Sequence, residues 1–284
     1  MPSFTTRLSA GMERAREYPL LALVPVLLAL LNTDKIAAIA TFDGGHIGFK
    51  FGLPLSVVTI WQFVSVPNSG VTANTGLPIE MLPLAVVTVP VLLVVQAAAT
   101  AGYFGSIRNA LDRDTYEFGR NVRAYFVPFL VLTAVPFLVV LPLAVGVFGV
   151  GALTGSLSGA VLLIVIPMLL VFLIAAYLFY ATPYLLVLRD VGVVDAARAS
   201  YALAVDGGPY VSYAVGFSLF VLVVSPFATA FVVNVPLLGI PIGILGGSIL
   251  GLGANFATMR FVADLDPESS VDRSWDPDSS ESPE

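Results

Sequence analysis

Side chains able to carry acid–base, nucleophilic or metal chemistry are scarce in this chain. Histidine occurs once, at His46, beside Asp43 and Gly44–Gly45, and cysteine is absent. One imidazole with one nearby carboxylate makes a poor metal site, and no nucleophile stands at a recognisable spacing from it for a triad. His46 is therefore expected to be an exposed loop residue. The lack of Cys removes disulfides, thiolate nucleophiles and cysteine metal ligands together. No catalytic residue, cofactor or metal site is expected. What remains within the apolar runs is amides and hydroxyls: Gln96, Asn234, Asn255 and scattered Ser and Thr. Such an amide serves an interhelical hydrogen bond or, less often, a ligand, so Gln96 and Asn255 are candidate intramembrane polar contacts. Apart from Asp34, Lys35 and Glu80 at the edges of apolar runs, no ionisable residue falls inside one. Proton-coupled transport, which needs titratable groups at depth, is disfavoured.

The elements holding these residues are built for lipid. With 57% hydrophobic and 11% charged residues and a mean hydropathy of +0.93, the chain lies outside soluble usage. The apolar runs are continuous and longer than barrel strands, so they predict helices. Six reach or approach spanning length, at about 18–40, 82–105, 125–150, 158–182, 209–233 and 236–259. The expected fold is all-α and polytopic. It comprises a cytoplasmic segment 1–17, a six-helix membrane domain 18–263 with an outer loop 41–81, and a disordered acidic cytoplasmic tail 264–284. That tail carries eight carboxylates against Arg273 and therefore dominates the net charge of -6. The first span is the weakest, since Asn32-Thr33-Asp34-Lys35 interrupts it. Ala38-Ile39-Ala40 also fits the outline of a secretory signal cleaved after Ala40, which would leave five spans.

Arginine placement orients the bundle. With the N-terminus inside, all eleven Arg fall on the cytoplasmic side and only Lys35 and Lys50 lie outside. The expected location is the cell membrane, multi-pass, with both termini cytoplasmic. The acidic tail, the preference for Arg over Lys and the Asp-rich loops would suit a salt-loving organism.

A weak repeat of about 80 residues runs span, linker, span. Tyr103-Phe104 and Arg108 lead to Tyr125-Phe126-Val127-Pro128, while Tyr177–Tyr184 and Arg189 lead to Pro209-Tyr210. Asp114 followed by Glu117 forms a capping box, predicting a short helix with Phe118, Val122 and Tyr125 on one side. In the second linker Val194, Ala197, Tyr201 and Ala204 recur at helical spacing before Gly207-Gly208 stop them. Cytoplasmic surface helices are thus expected between spans two and three and between spans four and five.

Residues Thr182-Pro183-Tyr184-Leu185-Leu186-Val187-Leu188-Arg189-Asp190-Val191-Gly192, followed by Asp195-Ala196-Ala197-Arg198-Ala199-Ser200-Tyr201, resemble the membrane domain attached to some bacterial glycerophosphodiester phosphodiesterases. Ala101–Ser106 and Phe118–Phe126 are similar to six-span archaeal, haloarchaeal-type relatives of that domain. The resemblance covers most of the chain from about residue 80. It implies a fold and a location but no catalytic residue, because the soluble phosphodiesterase domain is absent.

Gly239, Gly243, Gly247 and Gly251 form a candidate helix-packing stripe along span six, and Ala97, Ala101 and Gly105 repeat the spacing in span two. Such a stripe packs within the chain or forms a homodimer face. Prolines 25, 90, 136, 142, 167 and 226 fall mid-span, where they kink helices or line a substrate path. In the outer loop, Leu55–Val66 is too short to span and predicts a strand pair or an interfacial segment with Trp61 at headgroup level. Arg108, Arg113, Arg120, Arg123, Arg189 and Arg198 are candidate lipid-headgroup contacts. Membrane lipids, and a membrane-protein partner or a second copy, are the expected partners; nucleic acid is not. The chain reads as a non-enzymatic structural, lipid-organising or accessory module of the cell envelope. A transporter or channel subunit for a neutral or lipidic substrate, built around Gln96 and Asn255, is the alternative.

Overall fold

The computed structural model describes residues 2–67, 82–154, 159–235 and 237–271, the side chains of 82–87, 140–154 and 159–165 excepted. Ten α-helices are described: α1 (Phe4–Glu17), α2 (Leu23–Leu30), α3 (Thr33–Ala40), α4 (Leu82–Arg113), α5 (Phe118–Thr154), α6 (Gly159–Phe179), α7 (Thr182–Arg189), α8 (Val193–Asp206), α9 (Pro209–Asn234) and α10 (Gly239–Leu265). No strand occurs among the described residues. Five helices or helix pairs are long and apolar enough to cross a membrane, and the bent pair Pro19–Leu30 and Thr33–Ala40 makes a sixth if it is one span. The fold is all-α and polytopic.

The break in that pair falls at the polar patch. Asn32 leaves helical geometry and turns its amide back onto the Leu28 carbonyl at 2.8 Å, and the axis bends by 70°. A side chain that competes with the backbone for a helix carbonyl is a recognised cause of such bends. In span four, α6 gives way to α7 at Tyr180–Ala181, just before Pro183. Pro90, Pro167 and Pro226, by contrast, lie within continuous helices.

Residues 4–17 pack against the bundle. Ser3 caps α1 by accepting the Thr6 N–H, and Arg7, Gly11 and Ala15, four residues apart, form its buried face. Arg7 meets Asp264 while Gly11 meets Ala257 and Gly253, so α1 lies antiparallel along the last turns of α10. A methyl group on Gly11 would fall 2.3 Å from the Gly253 carbonyl oxygen, so the approach requires glycine. With Leu21, Ala29 and Ile39 also buried, α1, α2 and α3 each contribute one face to the packed core.

The two linkers differ. α8 is a separate helix, as expected, but it packs through Ala196, Ala199, Ser200 and Ala204, leaving Val194, Tyr201 and Val205 exposed. Between spans two and three the helix expected at Asp114 is absent. Asp114 adopts a left-handed conformation (φ 54°) that ends α4, and Phe118, Val122 and Tyr125 belong to the first turns of α5 itself. Asp190 (φ 55°) ends α7 in the same way, so Arg113-Asp114 and Arg189-Asp190 are matching stops in the two repeats.

Arginine contacts collect at one end of the bundle: Arg7–Asp264, Arg14–Asp114 at 2.8 Å, and Arg189 on both Asp266 and Glu268. Asp266 is fully buried and held by two guanidinium nitrogens at 2.5 and 2.8 Å. Residues 264–271, read above as the start of the tail, are therefore packed. Ser270 binds the Leu188 carbonyl, and Val271 is buried. The tail beyond 271 lies outside the described residues.

Candidate functional site

After α3, residues 46–66 meet polar side chains of α9 and α10 inside the bundle. His46 is clamped at the end of α9, where Asn234 accepts its N–H at 2.8 Å and donates to its C=O at 2.9 Å. The next contacts go progressively deeper: Lys50 N–H donates to Ser225 Oγ at 2.9 Å, and Ser218 Oγ donates to the Gly52 carbonyl at 2.9 Å. At the tip the partner is Asn255 of α10. Its Oδ1 accepts the Val58 N–H at 2.9 Å, and its Nδ2 donates to the Ser56 carbonyl at 3.0 Å. The chain then turns back, with Ile60 against Gly247 and Ser65 N–H on Thr229 Oγ1 at 2.9 Å. Residues 46–66 form a hairpin that enters the bundle from the Asn234 end, reaches Asn255 and returns.

This differs from the strand pair or interfacial segment expected from sequence, and the reason is hydrogen-bond supply. Non-helical backbone at membrane depth is tolerated only where protein or trapped water satisfies it. Here side chains of α9 and α10 satisfy it directly. The limbs meet through side chains, with Gln62 Nε2 on the Leu53 carbonyl and Gly48 against Ser65, so no strand ladder forms.

Asn255 is the hub. It is fully buried, and besides the two backbone groups its Oδ1 accepts from Tyr103 Oη at 3.0 Å and its Nδ2 donates to Tyr184 Oη at 2.8 Å. Four bonds use its whole hydrogen-bonding capacity. The hub thus joins α4, α7, α10 and the hairpin. One turn on, Thr258 pairs with Tyr213 at 2.9 Å. Gln96 takes no part: its side chain is exposed on α4 and bonds no described residue. The two amides that the sequence suggested as one site are separate.

The glycine stripe finds its partners within the chain. Gly239 and Gly243 face Phe231 and Val232 of α9, whereas Gly247 faces Ile60 and Gly251 faces the Val58 carbonyl. A methyl group on Gly251 would lie 1.9 Å from that oxygen. The lower half of the stripe is therefore the bed of the hairpin tip. In span two, Ala97 and Ala101 are buried, and Gly105 faces Asn121 of α5.

At the outer limb, Trp61 donates its indole N–H to the Ala29 carbonyl at 2.8 Å. Both lysines of the chain converge on it. Lys35 Nζ stands 5.7 Å from the ring centroid, and Lys50 Nζ donates to the Trp61 carbonyl at 2.6 Å. Burial, reinforced by the charge of Lys35, pushes the Lys50 ammonium down to about 8. His46 is half-buried rather than exposed, its ring set edge-on to Phe42.

Most of the arginines proposed for headgroups have partners in the chain. Arg113 pairs with Asp112, Arg120 with Glu117, Arg198 with Asp195, and Arg189 with Asp266 and Glu268. Arg108 donates to Ser270 Oγ and to Tyr125 Oη, while Arg123 is exposed. Among the described residues, no three or more His, Asp or Glu side chains converge as metal ligands. Set beside known proteins, the chain matches no family model, no curated protein and no solved structure.

Proposed function

We propose that this integral membrane protein is a non-enzymatic structural, lipid-organising or accessory module of the cell envelope, held in the cell membrane with both termini cytoplasmic. One observation supports the reading above others: the polar side chains at depth hold the hairpin backbone in place. Asn255, Ser218, Ser225, Thr229 and Asn234 each bind it, and Asn255 has no bonding capacity left over. Such an interior suits a rigid scaffold. The gathering of arginine contacts at one end of the bundle fits the orientation given by the positive-inside rule. The resemblance to a membrane domain appended to soluble enzymes fits an accessory role.

A transporter or channel subunit for a neutral or lipidic substrate is the second reading. The hairpin and the broken first span favour it, because irregular backbone at depth is characteristic of transport proteins. Cysteine accessibility separates the two. In this Cys-free chain, Val58→Cys at the hairpin tip is expected to resist a membrane-impermeant maleimide in intact membranes and to react only after denaturation. Steady labelling from outside, with normal folding, would replace the scaffold by the transport reading.

A further inference from the structure

We infer that Lys35, Lys50 and Trp61 form a binding site for a phosphate-type anion, supplied either by a lipid headgroup or by free phosphate. The site rests on their geometry alone and holds whether the protein is a scaffold or a transporter.

The two lysines are the entire Lys content of the chain, lie 15 residues apart on different elements, and both reach one residue, Trp61. Lys35 sits over the Trp61 ring while Lys50 reaches the Trp61 carbonyl from the opposite limb of the hairpin. Neither forms an ion pair with a described residue. Asp34, next in sequence, acts on Lys35; the charge acting on Lys50 is that of Lys35, which repels it. Lys35 also stands in the first turn of α3, where the helix dipole is positive and a cation is unfavourable. Three positive contributions therefore meet in a partly desolvated place with one carboxylate beside them.

A protein gains nothing by gathering like charges out of water unless something offsets them. The Trp61 carbonyl occupies one of the three ammonium protons of Lys50, which leaves donors for a charge-assisted bond to an anion. A compact, multiply charged oxyanion answers both the charge and the spare donors. Phosphate, free or esterified, is the class that membranes present in quantity.

Trp61 is also the reporter. Trp275 is the other tryptophan of the chain, so a Trp275→Phe protein in nanodiscs of neutral lipid leaves Trp61 fluorescence alone. Inorganic phosphate is titrated in one arm. In the other, phosphatidylglycerol replaces part of the neutral lipid without free phosphate. A saturable Trp61 change is expected in at least one arm, weakened by about tenfold or more in both Lys35→Gln and Lys50→Gln, as for loss of a charge-assisted contact. A response to free phosphate assigns a soluble anion; a response to phosphatidylglycerol alone assigns a headgroup. No saturable change in either arm, or equal responses in the two variants and the parent, would overturn the site. Lys35→Gln leaves the hairpin's hydrogen bonds intact, so its result stands even if Lys50→Gln fails to fold.

Discussion

At the scale of single residues, Asn255 carries more of the structure than any other polar group described. Asn255→Leu removes four bonds at once and strands the Val58 N–H, the Ser56 carbonyl and the Tyr103 hydroxyl, while Tyr184 keeps only Thr258. A loss of about 3 kcal/mol or more is expected, since each buried unsatisfied group costs about 1–3 kcal/mol. Thermal unfolding in detergent measures it, and a loss below about 1 kcal/mol would show that the hub is dispensable. The glycines of α10 offer a paired test. Gly251→Ala drives a methyl group into the Val58 carbonyl, whereas Gly246→Ala meets nothing within 4 Å. The first is expected to destabilise strongly and expose the hairpin to protease, and the second to leave stability unchanged or slightly raised through helix propensity. Lys50 gives a pH signature. Its folded value of about 8 lies below the ordinary lysine value of 10.5, so the unfolded chain binds more protons between the two and stability rises with pH across that window. The melting temperature of the parent relative to Lys50→Gln should climb from pH 8 to pH 10. A flat difference would contradict the desolvated setting.

At the scale of elements, one ion pair ties the segment after α10 to the bundle. The Arg189–Asp266 pair anchors the segment after α10 to the end of α7. Because Asp266 is fully buried, Arg189→Met leaves its charge without its main partner, and a cost of about 3–5 kcal/mol is expected. Arg189→Met combined with Asp266→Asn should recover part of that loss in thermal unfolding; no recovery would mean that the pair is not the anchor. The sequence showed where these helices start and stop better than which of their faces pack. It located the break at Asn32–Lys35 and the separate helix Val193–Asp206, because both are signalled locally by polar interruption and glycine stops. Of the residues it set at helical spacing in α8, Ala204 is buried and Ala197 partly so, while Val194 and Tyr201 are exposed, and the face that packs on the bundle is made of small residues. In lipid, apolar periodicity no longer distinguishes inside from outside, since the surroundings are as apolar as the core.

For the whole molecule, the expected arrangement is checked by single cysteines. Positions 70 and 152 should label from outside intact cells, and 112, 195 and 275 only after permeabilisation. Labelling at 112 in intact cells would reverse the orientation. The structure supports the grouping behind this expectation, because the contacts of Arg7, Arg14, Arg108 and Arg189 all lie at one end and the His46–Asn234 clamp lies at the other. The stretch 18–45 connects the two ends, as the expected arrangement with a first span requires, although the bent pair Pro19–Leu30 and Thr33–Ala40 counts as a sixth span only if it is one span.

Taken alone, the sequence determined the class of fold and the positions of the apolar spans, and it supplied an expectation for the sidedness of the charges. These follow from hydropathy summed over about 20 residues and from Arg counts in short loops, which need no knowledge of contacts. Tertiary structure decided that the loop after α3 folds inward as a hairpin, that Asn255 rather than Gln96 is its anchor, that the glycines of α10 serve as its bed, and that residues 4–17 and 264–271 close the bundle. Each depends on a bond or approach between residues far apart in the chain, such as Val58 with Asn255, and these leave no periodic trace. One sign was legible. Ser218, Ser225 and Thr229 recur on one face of span five, and together with the glycine stripe of span six they mark a polar, close-fitting bed for non-helical backbone. Only the fold shows which segment lies in it, because side-chain hydroxyls and amides satisfy any backbone brought within reach.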